Sequence, residues 1–152
     1  MDVLKQLLTP GRTLCKAPGA SKKRLLQTVA QLIAEDQISL DATELFTQLV
    51  AREKLGSTGL GDGIAIPHCR IENCVHPLGT LVTLDKPVPF DSPDGQPVDL
   101  MFVLLVPDEA HQEHLDILAS LARLFSQTDF CDTLRSQAEP AQLYQTAVNW
   151  PG

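Results

Sequence analysis

Residues Val98 to Val106 read Val-Asp-Leu-Met-Phe-Val-Leu-Leu-Val, apolar at odd and even positions alike and broken only by Asp99. A strand sends alternate side chains to opposite faces, so a run with no polar face needs cover on both sides. That demands a sheet with this strand at its centre and helices on its flanks. Leu100 to Pro107 is also the longest apolar run in the chain. A membrane-spanning helix needs about 18 or more such residues, so none is expected.

Helices to cover the sheet are written on both sides of this strand. Ser21 suits an N-cap, and Leu25, Leu26, Val29, Leu32 and Ile33 recur at helical spacing until Glu35 or Asp36. A second helix is expected from Asp41, with Glu44 placed as in a capping box. Its apolar stripe is Leu45, Phe46, Leu49 and Val50, and Gly56 follows its end at Lys54 or Leu55. His114 sits at the start of a third helix, lined by Leu115, Leu118, Leu121, Ala122 and Phe125, and shorter ones follow near Asp129 to Ser136 and Pro140 to Val148. Ile64-Ala65-Ile66 reads as a short strand stopped by Pro67-His68, and Leu78 to Leu84 as another. Pro87-Val88-Pro89-Phe90 and Ser92-Pro93-Asp94-Gly95 carry turn chemistry. The first twenty residues read as loop around Pro10-Gly11 and Pro18-Gly19, with one short amphipathic turn through Val3, Leu4, Leu7 and Leu8. The missing strand–helix alternation argues against a purely parallel sheet.

At 152 residues, 43% hydrophobic and 20% charged, the chain fits one packed domain over 1–152. Its net charge of −7 argues against a dedicated nucleic-acid binder and against docking on anionic lipid. Met1-Asp2-Val3-Leu4-Lys5 lacks the apolar region of a signal peptide, so the cytoplasm is the default location. Cys15, Cys69, Cys74 and Cys131 fit reduced thiols there.

Gly56-Ser57-Thr58-Gly59-Leu60-Gly61-Asp62-Gly63 precedes the short strand, and Pro67-His68 ends it. Neutral imidazole is a nucleophile near pH 7 and can carry a covalent intermediate. Glycine-rich backbone can offer N–H groups to an anion. Together they suggest a phosphoryl group carried on His68; the plain alternative is a surface histidine beside a flexible loop. His114, near a helix N-terminus, could donate to a phosphoryl oxygen or simply be an exposed first-turn residue. Neighbouring His111 reads as loop. Arg52 could neutralise a phosphoryl group through its guanidinium fork or merely suit the end of its helix. His68-Cys69 and Cys74-x-His76 put two thiols and two imidazoles within nine residues, but their spacing matches no standard zinc finger, and no metal is expected. There is no GxxxxGK[ST] and no GxSxG, and Asp62, Asp94 and Asp99 read as turn residues.

The whole run from Arg52-Glu53-Lys54-Leu55 through Gly56 to Gly63 and on to Ile64-Ala65-Ile66-Pro67-His68 resembles the active-site signature of phosphotransferase-system IIA proteins of the mannitol/fructose type, above all their nitrogen-regulatory branch. Ser21-Lys22-Lys23-Arg24, Pro97-Val98-Asp99-Leu100, Leu104-Leu105-Val106-Pro107 and His114-Leu115 fit the same family. The resemblance implies an α/β single domain with a mixed sheet of about five strands flanked by helices. It implies that His68 is phosphorylated at Nε2 by a small histidine phosphocarrier protein, with Arg52 and His114 stabilising the phosphoryl group, and with no cofactor. It further implies a phosphotransferase component that acts as a regulatory phosphocarrier, controlling target proteins of nitrogen metabolism and potassium transport by its phosphorylation state. The alternative is a sugar-transport IIA component that passes the group to a IIB domain. Cys69 departs from the glycine usual after the phosphorylated histidine, which leaves open an altered donor interface or an oxidisable site.

Overall fold

The computed structural model describes residues 3–18, 20–109 and 111–151. Their order is α1 (Val3–Leu7), a 3-10 turn (Pro10–Arg12), β1 (Thr13–Ala17), α2 (Lys22–Asp36), α3 (Ala42–Leu55), β2 (Gly59–Gly61), β3 (Ile64–Ala65) and β4 (His68–Ile71). Then come β5 (Leu78–Val88), β6 (Val98–Pro107), α4 (His111–Phe125), α5 (Thr128–Arg135) and α6 (Pro140–Val148).

The apolar run is the centre of the sheet. β6 pairs antiparallel with β5 on one side and parallel with both β3 and β4 on the other. The order β1-β5-β6-β3-β2, with β4 also on β6, makes a mixed sheet of six strands. Met101, Val103 and Leu105 point into a core shared with α2 and α3. Leu100, Phe102, Leu104 and Val106 point into a second core under α1, α4, α5 and α6. All seven are 0% exposed, which is why neither face of this strand tolerates a polar residue. The helices start as their caps direct: Ser21 Oγ accepts from Arg24 N–H at 3.1 Å, and an Asp41 carboxylate oxygen accepts from Glu44 N–H at 2.9 Å.

Six expectations need correction. The first twenty residues hold a strand: β1 lies parallel to β5, with Thr13 opposite Leu81 and Leu14 opposite Val82. Gly59–Gly61 is a strand hairpinned onto β3 rather than loop; Asp62 (φ 56°) and Gly63 (φ 80°) supply the two left-handed residues such a tight turn requires. β5 runs on through Pro87 to Val88, past the expected stop at Leu84. Its pairing with β6 is irregular between Thr83 and Val88, so proline's missing N–H costs little there. Asp99 lies inside β6 and takes Arg135 Nε–H at 3.0 Å, so it is an ion-pair partner and not a turn residue. On α4, Leu115 is 59% exposed and Ala122 faces solvent, while Leu121 and Phe125 enter the core. His111 is the first residue of α4 rather than loop.

Candidate active site

Three elements deliver the three polar side chains singled out in the sequence to one groove of about 640 Å³. Arg52 comes from the last turn of α3, where a cation suits the helix dipole and one guanidinium nitrogen donates to the Gly56 carbonyl at 2.9 Å. His114 comes from the first turn of α4 and is buried, at 8% exposure, rather than displayed. Its ring stands edge-on to that of His68, with centroids 5.5 Å apart. His68 opens β4 instead of closing β3. Pro67 has no N–H to give, but its carbonyl accepts from Leu104 N–H at 2.9 Å, so pairing to β6 resumes at once. The ring is half-buried, not displayed on a free edge.

Two hydrogen bonds fix the state of that ring. His68 Nδ1 lies 2.8 Å from the Ile66 carbonyl, which can only accept, so Nδ1 carries the proton. Arg52 Nε–H donates to His68 Nε2 at 3.3 Å, so Nε2 holds the lone pair and faces the guanidinium. Burial pulls the His68 pKa below its ordinary 6.5; the Ile66 carbonyl pushes back, the Arg52 charge lowers it further and Glu53 raises it. At pH 7 the ring is neutral. A ring titration followed by NMR is expected to place its midpoint below 6.5; a higher midpoint contradicts the burial argument. The sign for stability follows. Below about pH 6.5 the unfolded chain takes up a proton that the folded ring resists, so this residue's contribution falls as the solution is acidified.

Three N–H groups of the glycine-rich segment are already spent within the protein. Thr58 N–H goes to Glu53, Gly59 N–H to Ser57 Oγ and Asp62 N–H to Asp94. Glu53 and Thr58 are the parts of the site that sequence reasoning missed. A signal existed: an acid in the last turn of a helix opposes the dipole and needs a local reason. Cys69 borders the groove but packs into the α2/α3 core, 6% exposed, and burial pushes its thiol up to about 12. It stays a protonated thiol, not a reactive thiolate. Cys74 shares that core while His76 is exposed, and among the described residues no three His, Cys, Asp or Glu side chains gather as metal ligands.

A family model described as phosphoenolpyruvate-dependent sugar phosphotransferase system, EIIA 2, matches residues 6–149. A nitrogen regulatory protein of Pseudomonas aeruginosa is 52% identical over 146 residues, 96% of this chain and 95% of its own length. One from Escherichia coli strain K12 is 39% identical over 152 residues, 99% of this chain and 90% of its own. The crystal structure of nitrogen regulatory protein IIA-Ntr from Neisseria meningitidis superposes with a TM-score of 0.85 at 39% identity, covering 95% of this chain and 98% of that one. The mannitol IIA structure of Escherichia coli shares the fold, with a TM-score of 0.76 at 17% identity over 91% of this chain and 97% of its own. Among the described residues no helix is long and apolar enough to cross a membrane.

Proposed function

The chain belongs to the phosphoenolpyruvate-dependent sugar phosphotransferase system EIIA 2 family, and on that footing we propose that His68 accepts a phosphoryl group from a small histidine phosphocarrier protein. The observation that carries this is the ring itself: Nδ1 is spent on Ile66, and Nε2 meets a guanidinium at 3.3 Å. The Nε2 lone pair forms the new N–P bond as the donor's N–P bond breaks, and that bonding pair stays on the donor nitrogen. The Nδ1 proton stays on His68, and the positive charge the ring gains is met by the Ile66 carbonyl. Arg52 and His114 stabilise the charge spread over the phosphoryl oxygens, where positioned donors contribute most. No nucleotide or metal enters this step.

The phosphorylated and free forms then act differently on target proteins in the cytoplasm, as one charge-bearing group changes an interface. High identity to nitrogen regulatory proteins favours targets in nitrogen metabolism over a sugar-transport role; potassium transport is proposed beside them on the family resemblance alone. The test mixes the protein with phosphoenolpyruvate, enzyme I and the carrier and follows intact mass. One acid-labile phosphoryl group is expected; no label from an active carrier overturns the reading. Arg52→Ala and His114→Ala are expected to stay folded and to label roughly 100-fold more slowly. Capture of targets by the two phosphoforms checks the switch, and equal capture rules it out. Rapid transfer to an isolated IIB domain would instead favour sugar transport.

A further inference from the structure

Glu53 is a carboxylate with no reason of its own to be where it is. It lies in the last turn of α3, where an acid meets the negative end of the dipole, and its side chain is only 5% exposed. Both its oxygens are engaged. One takes Lys22 Nζ at 2.7 Å and Thr58 N–H at 3.2 Å; the other takes the Thr58 hydroxyl in a short contact. Buried charge is retained only with such complete partnering.

The bonds do not stop at Thr58. Its carbonyl accepts Ile66 N–H at 3.1 Å, and the Ile66 carbonyl accepts His68 Nδ1–H at 2.8 Å. Ile66 sits in the gap between β3 and β4, outside both strands, so this link to Thr58 anchors it where the ladder is interrupted. The far side of the loop is fixed as well. Ser57 Oγ–H donates to the Phe90 carbonyl at 2.6 Å, and a Cβ on Gly59 would lie 2.2 Å from Ser92 Oγ. Glu53 closes the clamp from the α3 side.

We propose that Glu53 is a positioning residue: through Thr58 and the Ile66 backbone its carboxylate holds His68 in the Nδ1–H tautomer, with Nε2 presented to the groove. This rests on the reading of His68 as phosphoacceptor, and it explains why the acid next to Arg52 is buried instead of solvated. Arg52 faces the nucleophilic atom from one side of the helix end, and Glu53 sets the ring from behind through the loop.

The test is Glu53→Gln, read by nitrogen NMR of the His68 ring in unphosphorylated protein and, separately, by the rate of labelling. The native ring is expected to show one tautomer, protonated at Nδ1. The variant is expected to show a mixture of both and to label roughly 10- to 100-fold more slowly, the size of effect that small misplacement of a reacting group produces. A variant that melts earlier but keeps native ring shifts and native labelling makes Glu53 a structural clamp only and overturns the proposal. Should Glu53→Gln fail to fold, Thr58→Val keeps the branched shape, removes the hydroxyl link and gives the same two readouts. Failure of the phosphoacceptor reading has its own signature, an unlabelled native protein, and leaves the ring measurement intact.

Discussion

His68→Ala takes up no phosphoryl group under conditions that label the native protein fully: that is the largest effect expected here. Each rival nucleophile in the neighbourhood is disarmed. The Cys69 thiol faces the core and is held protonated, with burial pushing it up to about 12. His114 shares the groove but is 8% exposed, with its ring edge-on to His68 rather than open to a docking donor. Removing the His68 ring leaves Arg52 anchored by the Gly56 carbonyl, so the groove keeps its cation and loses only its acceptor. The fold should feel the change little. The ring is half-buried and its two hydrogen bonds are worth about 1 kcal/mol each. Intact mass with an acid-lability step decides the matter. Acid-labile label persisting in His68→Ala and vanishing in the double variant with His114→Ala would move the nucleophile to His114. Acid-stable label would point to the thiol.

What could be read from the sequence, and what could not, divides along physical lines. β6 was legible because burial on both faces writes an uninterrupted apolar run. α2 and α3 were legible because cap, stripe and stop agree within each. β1 was invisible because nothing in Thr-Leu-Cys-Lys-Ala alternates. Its extended state is imposed by pairing with β5, with Lys16 at φ 53° where the register shifts. Non-local pairing has no local signature, and Pro10 and Pro18 on its flanks read as loop. The same reason hides β2 inside the glycine-rich segment and moved His68 from the end of one strand to the start of the next.

The site shows the same division. Arg52 and His68 are recognisable as types of residue at a spacing, and the structure joins them at 3.3 Å. That His114 reaches the same groove depends on α4 returning from the end of β6, which no residue pattern states. The glycine-rich loop was legible only in part, for a different reason. Composition shows where backbone N–H groups are conformationally free, not whether side chains have already claimed some of them, and here Glu53, Ser57 and Asp94 have taken those of Thr58, Gly59 and Asp62.

The other large effect concerns Arg12, which sequence reading passed over as part of a loop. Its side chain is 4% exposed and its guanidinium serves three elements. It donates to the Leu7 carbonyl at the end of α1 at 2.8 Å, to the Gly79 carbonyl of β5 at 3.1 Å, and to Asp36 at the end of α2 at 2.6 Å. Helices from opposite faces of the sheet are thereby tied to the same strand. The packing beside it is tight: a Cβ on Gly79 would lie 2.3 Å from Phe102 Cζ. Arg12→Met keeps the volume and removes every donor. Charge-assisted bonds of this kind are worth about 1.5–3 kcal/mol each; the two to buried carbonyls count fully and the one to Asp36, 27% exposed, counts for less, so a loss of about 4 kcal/mol is expected. For a chain of this length that is a fall in Tm on the order of 10 °C. The pH dependence carries a further sign. The Gln37 amide and then Arg12 hold the Asp36 carboxyl below its usual 3.8, so this contribution is present above that value and is lost as pH falls through the folded pKa. The gap between native and Arg12→Met in urea unfolding should therefore narrow in acid. A loss under about 1 kcal/mol at pH 7 would mean that backbone pairing, not the guanidinium, holds these layers. Arg12 lies outside the His68 groove, so whatever fraction of the variant is folded should still label at the native rate. The stability of the frame and the chemistry of the site are then separable in one protein.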